Sequence, residues 1–145
     1  PAPATTLTGN MTLRHDVSAL DAHAELTIKN LILISEYIDS LGSFNVLDLA
    51  YNGAGASPQA FHFEADYKFN LWNRPWTVGA MFGRRWQALA LQLPEVSYTA
   101  DIQCSIFKDT LETIEYRHDN DYGLGDTADG GPNGHPGNLI NGTGS

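Results

Sequence analysis

The chain has 145 residues, a formal net charge of −9 at pH 7 and a sequence pI of about 4.7. This acidic balance argues against nucleic-acid binding, because contact with phosphates needs a basic surface. Charged residues make up 17 % of the chain, whereas roughly a quarter is usual in soluble domains, which indicates that some surface does not face water. The single cysteine excludes an internal disulfide and a cysteine-based metal cluster.

Apolar runs in this sequence are short, and the longest are of the size of 31–34. A transmembrane helix needs about eighteen consecutive apolar residues, but a strand of a membrane barrel needs only about ten that alternate. A helical span is therefore excluded, whereas barrel strands remain open. The chain starts at Pro1 without a methionine, so we expect a mature protein or a piece of a longer one.

Residues 1–21 are weakly patterned and could hold a first strand over about 7–17. Six segments with strand-like alternation follow, although in the second of them Ile32, Ile34 and Ile38 share a face with Glu36. These predicted strands are 22–29, 31–39, 59–70, 76–86, 98–106 and 111–118.

The clearest alternation is FHFEADYKF, residues 61–69. Side chains alternate across a strand, so Phe61, Phe63 and Tyr67 share an aromatic face, while Glu64 and Lys68 lie on a charged one. In a soluble sheet the aromatic face is inside, whereas in an outer-membrane barrel it meets lipid and the charges line the lumen. Periodicity alone leaves both solutions open.

The connections between the predicted strands alternate in length. They are short after the first, third and fifth strands and long after the second, fourth and sixth. This sorting is typical of an up-and-down outer-membrane barrel. The sequence therefore predicts an all-β fold, an antiparallel meander of six to seven strands over 22–118 that forms part of a transmembrane β-barrel.

The tail, 119–145, is rich in Gly, Asp and Asn and nearly free of apolar residues. A segment of this composition cannot bury enough surface to order itself, so we expect a flexible terminus or an external loop. Its acidic residues could in principle gather Ca²⁺ or Fe³⁺, but they lack the spacing of an EF-hand loop. They are Asp119, Asp121, Asp126 and Asp129.

Several short motifs occur in an order that resembles one protein family. They are IKNLILISEYI (28–38), AYNGAGASPQAFHFEADYKFNL (50–71), ALALQLPEVSY (88–98), IFKDT (106–110) and IEYRHDNDYG (114–123). In order and spacing, over roughly 22–126, they resemble the C-terminal part of the outer-membrane siderophore porins of the legiobactin-uptake type. Members of that family are longer and end in a strand with a terminal aromatic residue, whereas this chain ends at Gly144-Ser145.

The resemblance implies a β-barrel in the outer membrane of a Gram-negative cell that passes a ferric siderophore or another small solute. It supplies no catalytic motif and no cofactor. In such a barrel the charged faces of the strands line the lumen, joined there by His62 and Gln103. The charged residues are Glu25, Lys29, Glu64, Asp66, Lys68, Arg85, Asp101, Glu115 and Arg117.

Aromatic residues cluster near the predicted strand ends, where a barrel would place interfacial girdles. They are Tyr67, Phe69, Trp72, Trp76, Trp86, Tyr98, Tyr116 and Tyr122. In a soluble protein the same residues would form the core and its rim.

Enzymatic activity is not expected. The pairs His118-Asp119 and His15-Asp16 could suggest a base with its orienting carboxylate, or metal ligands. No nucleophile elbow and no His-Glu-x-x-His helix accompanies them, so exposed loop ends are the simpler interpretation.

The alternative is a soluble β-sandwich or small barrel that acts as a binding or structural module. A variant of it is a self-assembling subunit, because six or seven strands are too few to close an eight-stranded barrel. Open sheet edges and an exposed aromatic face would then drive association.

Overall fold

The structure, a computed structural model, describes residues 14, 16–107, 109–130 and 139–144. Within these residues the protein is all-β, with one short 3₁₀ helix, Leu89–Leu91. None of the described residues forms a helix long and apolar enough to span a membrane. The strands of this part of the chain are β1 Ala19–Ile28, β2 Leu31–Ser40, β3 Leu49–Tyr51, β4 Ala54–Gly55, β5 Gln59–Leu71, β6 Arg74–Trp86, β7 Val96–Cys104, β8 Glu112–Asn120, β9 Thr127–Gly130 and β10 Ile140–Asn141.

The six long strands form one open antiparallel sheet in the order β1-β2-β5-β6-β7-β8. The prediction of an all-β antiparallel meander is confirmed, since each of the six predicted segments is a strand of this sheet. β1 and β8 are its two edges and do not pair with each other. The weaker strand predicted over 7–17 falls mostly outside the described residues.

The connections alternate between the two ends of the sheet. At the short-turn end, Lys29 and Asn30 join β1 to β2, and Trp72 and Asn73 join β5 to β6. Trp72 and Asn73 have φ of 54° and 57°, as in the type I′ turns that match the twist of a hairpin. The longer connections leave from the opposite end, which we call the long-connection end.

The strand register gives the large sheet two chemically different faces. Leu33, Ala65, Ala80 and Ala100 stand opposite one another across four strands, in the middle of an apolar face. Their immediate neighbours in sequence point to the other side, the polar face, which carries most of the charges of the sheet.

The large sheet has almost no core of its own. Among the buried apolar residues of the described chain only Cys104 belongs to it, and its strands contact their sheet neighbours but no covering layer. On the apolar face Leu26 is 53 % exposed, Tyr67 49 % and Ile114 74 %. None of the described residues therefore shields this face from its surroundings.

The long connections fold together into a second, smaller unit, which we call the cap. Its sheet has the order β10-β9-β3-β4, and the 3₁₀ helix packs on it. The cap's core consists of Leu89, Tyr122 and Ala128.

The described part of the tail is ordered, whereas its composition predicts a flexible terminus or an external loop. Its residues form β9 and β10, and Tyr122 is 2 % exposed. The physical reason is that the tail supplies only part of the core, Tyr122 and Ala128, and that Leu89 and Tyr51 from the other two connections complete it.

Candidate functional site: the polar face and the cap

The polar face gathers eight of the nine charged residues that the sequence predicts to line a lumen. Register places them with their side chains on one side of the sheet, and His62 and Gln103 join them there. The eight are Glu25, Glu64, Asp66, Lys68, Arg85, Asp101, Glu115 and Arg117. Lys29 does not share the face, because it lies in the turn between β1 and β2, with φ of 55°.

An acidic row crosses the middle of the polar face. Asp66, Gly79, Asp101 and Glu115 stand opposite one another on consecutive strands. A Cβ at Gly79 would lie 2.5 Å from Asp101 Oδ2 and 2.7 Å from Asp66 Oδ1, so the glycine leaves the space that these two carboxylates occupy. The row makes this part of the face strongly hydrophilic.

Polar contacts on this face are mostly local. Arg117 Nε donates to Asp119 Oδ1 at 2.9 Å, and Gln103 Nε2 donates to Asp101 Oδ1 at 3.1 Å. His62 Nε2 lies 3.3 Å from Glu64 Oε2. These contacts join residues two apart along one strand. They fix side-chain positions on the polar face but do not bridge from one strand to the next.

The apolar face carries aromatic side chains near both ends. At the short-turn end the rings of Tyr67 and Phe69 are 6.1 Å apart, and Trp76 is 6.4 Å from Phe69 and 6.1 Å from Trp72. Nearer the long-connection end Phe82 is 6.4 Å from Phe61 and 5.4 Å from Tyr98. Two aromatic clusters thus flank the row of Leu33 and the alanines.

Charged groups mark the limits of the apolar face. Arg84 lies at the long-connection end, with its guanidinium carbon 5.1 Å from the centre of the Trp86 ring and Nη2 3.8 Å from Glu95 Oε1. Arg74 lies at the other end of the same strand, where Nη1 donates to the Ser105 carbonyl oxygen at 2.9 Å. β6 therefore crosses the whole apolar band between two arginines.

Two of the predicted aromatic positions lie away from these clusters. Tyr116 stands opposite Ala100, in the middle of the band. Tyr122 lies in the core of the cap, where its hydroxyl oxygen accepts a hydrogen bond from the Ala88 N–H at 2.9 Å. Burial raises the pKa of this hydroxyl.

The pair His118-Asp119 does not form a catalytic group. His118 and Asp119 are consecutive residues of β8, so their side chains point to opposite faces of the sheet. His15 lies outside the described residues. In the part of the chain that the structure describes, no group of three or more His, Cys, Asp or Glu residues is arranged to hold a metal ion.

Asp126 is the centre of a hydrogen-bond cluster, which we call the latch, between two connections of the cap. Asn52 Nδ2 donates to Asp126 Oδ1 at 2.9 Å, and the Gly123 N–H donates to Asp126 Oδ2 at 3.1 Å. The Tyr51 hydroxyl donates to the same carboxylate, and the hydrogen bonds from Asn52 and Tyr51 lower the pKa of Asp126.

Backbone pairing completes the latch. The Thr127 N–H donates to Asn52 Oδ1 at 2.8 Å, and the Asn52 N–H donates to the Thr127 carbonyl oxygen, also at 2.8 Å. The pKa of Tyr51 is raised by its burial and by Asp126. The latch therefore ties the connection after β2 to the tail.

Of the latch residues, the sequence singles out only Asp126, as a candidate metal ligand of the acidic tail rather than as a partner of Asn52. The available signal was Asn52-Gly53, since an Asn-Gly pair is the strongest short-range indication of a tight hairpin. Both residues have positive φ, 49° and 77°, and β3 pairs with β4 around them. No local pattern indicates that Asp126, 74 residues away, would meet this turn.

Comparison with known proteins finds relatives but no characterised activity. No family model matches the chain, and no solved structure matches it. The chain is 43 % identical over 119 residues to a UPF0422 protein of Coxiella burnetii, covering 82 % of this chain and 26 % of that protein. It is 40 % identical over 133 residues to a UPF0422 protein of Legionella pneumophila strain Paris, covering 92 % and 24 %.

A further UPF0422 protein, from Legionella pneumophila strain Philadelphia 1, is 41 % identical over 122 residues, covering 84 % of this chain and 23 % of that protein. The chain thus spans about a quarter of the length of the curated relatives that it matches. Their names state no ligand, activity or location.

Proposed function

We propose that the chain is part of an outer-membrane β-barrel porin of a Gram-negative cell, and that the porin takes up a siderophore or another small solute. The observation that carries this proposal is the large sheet itself, with an uncovered apolar face on one side and a hydrophilic face on the other. Membrane lipid would cover the apolar face, and the polar face would line the passage. No chemical step and no cofactor is part of the proposal.

The height of the apolar band supports a membrane setting. Ten residue steps separate Arg74 from Arg84 on the apolar face of β6. At a rise of about 3.3 Å per residue they span about 33 Å along the strand, and a tilt of about 40° reduces this to about 25 Å across the membrane. That is the height of the apolar band in transmembrane barrels.

The distribution of aromatic side chains supports the same setting. Rings cluster near both ends of the apolar face, and the row between them consists of Leu33, Ala65, Ala80 and Ala100 and continues to Tyr116 on the edge strand. Amphipathic aromatic rings favour the two membrane interfaces, whereas aliphatic side chains suit the hydrocarbon interior. A protein core has no reason to sort its residues in this way.

The nature of the solute is proposed from the resemblance and from the chemistry of the polar face. The order of motifs resembles siderophore porins, and the relatives come from Gram-negative bacteria. The acidic row on the polar face fits a hydrated passage rather than a dry core. We therefore propose a small polar solute, of which a ferric siderophore is the example that the resemblance supplies.

A second candidate is a soluble or self-assembling β-sheet module. The observation that favours it concerns the two edge strands of the large sheet. β1 has ten residues and β8 has nine, and each pairs on one side only. Such edges are templates for pairing with another chain. In this case copies of the chain would cover the apolar face.

Reconstitution separates the two candidates. The chain is refolded with and without phosphatidylcholine vesicles, and its flotation with the vesicles and heat-modifiable gel mobility are measured. The porin proposal predicts vesicle-bound protein whose gel mobility shifts on boiling. A monodisperse, cooperatively folding protein in detergent-free buffer would contradict it and favour the soluble module.

Solute passage is then measured on the full-length relative from Coxiella burnetii, since this chain spans 26 % of that protein. Vesicles that contain the relative should swell in small sugars and take up a ferric siderophore, whereas empty vesicles should not. Insertion without any solute flux would contradict the porin function while leaving the membrane setting in place.

A further inference from the structure

The cap is attached to the large sheet through its polar face. The Arg85 side chain belongs to that face and donates from Nη1 to Ser97 Oγ at 3.1 Å. The same Nη1 lies 3.4 Å from the Pro94 carbonyl oxygen, in the connection that carries the 3₁₀ helix. Ser97 is 4 % exposed, and the Arg85 guanidinium lies against its hydroxyl.

The cap's core continues from this attachment. The 3₁₀ helix contributes Leu89, which packs against Tyr122 and Ala128. The Tyr122 hydroxyl oxygen accepts from the Ala88 N–H at 2.9 Å, in the same connection as Pro94. The cap's core is therefore joined to the connection that Arg85 contacts.

We infer that the cap is a lid over this end of the polar face, and that the Asp126 latch holds it closed. The inference rests on the proposed function, because a lid has a role only where the polar face lines a passage. Solute enters the passage when the connection 41–58 separates from the tail.

The latch is the part of the lid that is best suited to open. The hydrogen bonds from Asn52 to Asp126 and from the Thr127 N–H to Asn52 are exposed, so water competes for their partners and the net stabilisation of each bond is modest. Leu89 and Tyr122 are 3 % and 2 % exposed, so separation between them costs buried apolar contact as well. Opening therefore starts at Asn52 and Asp126.

Cysteine labelling in vesicles tests the lid directly. All variants carry Cys104→Ser, and single cysteines are placed at Ser97 beside the Arg85 contact, at Ala128 in the core of the cap and at Thr77 on the polar face near the short-turn end. A bulky hydrophilic maleimide measures the accessibility of each position. The latch is opened with Asp126→Ala, and Asp129→Ala in the neighbouring part of β9 is the matched control.

Opening the latch should raise the labelling rates of the Ser97→Cys and Ala128→Cys proteins together, by about tenfold, since several hydrogen bonds are lost at once. The Thr77→Cys rate should stay unchanged, and the Asp129→Ala control should label like the parent. If Asp126→Ala does not assemble, Asn52→Ala keeps the hydrogen bond from the Gly123 N–H to Asp126 and is expected to act in the same direction.

Two results would overturn the lid. One is faster labelling of Ala128→Cys with no change at Ser97→Cys, because the cap would then open without uncovering the polar face. The other is unchanged labelling at both positions in both latch variants. Either result leaves flotation with vesicles intact, whereas loss of flotation in the parent protein would contradict the proposed function instead.

Discussion

The large sheet and the cap differ in what keeps them folded. The cap is small, yet it has its own core of Leu89, Tyr122 and Ala128. The large sheet has six long strands but contributes only Cys104 to the buried apolar residues of the described chain. Backbone pairing defines its shape, whereas the described residues bury little apolar surface that would stabilise it.

This difference implies that the two regions respond to different perturbations. Substitutions inside the cap should change its stability both in buffer and in vesicles, because its core is internal. Changes on the apolar face should act only through whatever covers that face. Three perturbations test this difference between the cap and the large sheet, and the first has the largest expected effect.

Removal of the Tyr122 ring should open the cap and leave the large sheet intact. Tyr122→Ala empties the centre of the cap's core, and such truncations cost about 3–5 kcal/mol. Tyr122→Phe keeps the ring and loses only the acceptor of the Ala88 N–H, at about 1 kcal/mol. Hydrogen exchange measures the free energy of local opening at Thr127 and Thr143.

In the Tyr122→Ala protein, protection of β5 and β6 should stay as in the parent. Loss of protection throughout both sheets would show that the cap and the large sheet fold as one unit, and the contrast between them would be broken.

A charge on the apolar face should act only in a membrane. In vesicles, Ala80→Arg places a cation in the middle of the band, which costs about 2–4 kcal/mol at the bilayer midplane. Met81→Arg, the next residue, projects from the polar face beside Glu64 and is the matched control. The measurement is the folded fraction in vesicles, read from gel mobility before and after boiling.

Equal losses for Ala80→Arg and Met81→Arg would mean that the two faces have similar surroundings. A larger loss for Met81→Arg would reverse the assignment of the faces.

Acid should loosen the cap before it affects the apolar face, although this effect is the smallest of the three. Hydrogen bonds from Asn52 and Tyr51 lower the pKa of Asp126 below the ordinary 3.8, so the unfolded cap binds more protons than the folded one. The stabilisation from this carboxylate is complete above pH 3.8 and is lost as the pH falls through the lowered pKa.

Asp121 should also contribute stability that is lost in acid, because its pKa is lowered as well. Burial alone would raise its pKa, but hydrogen bonds from the Tyr122 and Thr143 N–H groups lower it overall. NMR signals of the Gly123 and Thr127 amides should report the transition, and Asp126→Asn should flatten it. A transition of unchanged size in Asp126→Asn would show that other groups control the acid response of the cap.

The sequence predicts the strands of the large sheet well because their signal is local. Strict alternation over 61–69 and short turns such as Trp72-Asn73 specify both strand and register without reference to the rest of the chain. The clustering of the charged side chains follows from the same alternation. Lys29 is the exception, because it occupies a turn whose position alternation does not determine.

The cap could not be predicted in this way because its contacts are distant in sequence. Its strands have two to four residues, too few for a periodic pattern to emerge. The tail is poor in apolar residues and orders itself on Tyr51 and Leu89, which belong to other connections. Within the cap, only the Asn52-Gly53 turn is indicated by a local sequence pattern.

The central claim is that the apolar face meets lipid and the polar face meets water, and fluorescence quenching along β6 tests it most directly. Single bimane-labelled cysteines replace Val78, Ala80 and Phe82 on the apolar face, and Thr77 and Met81 on the polar face, in vesicle-bound Cys104→Ser protein. Brominated lipid should quench the first set and aqueous iodide the second, alternating residue by residue. Iodide quenching at Val78, Ala80 and Phe82, or no alternation at all, would contradict the account.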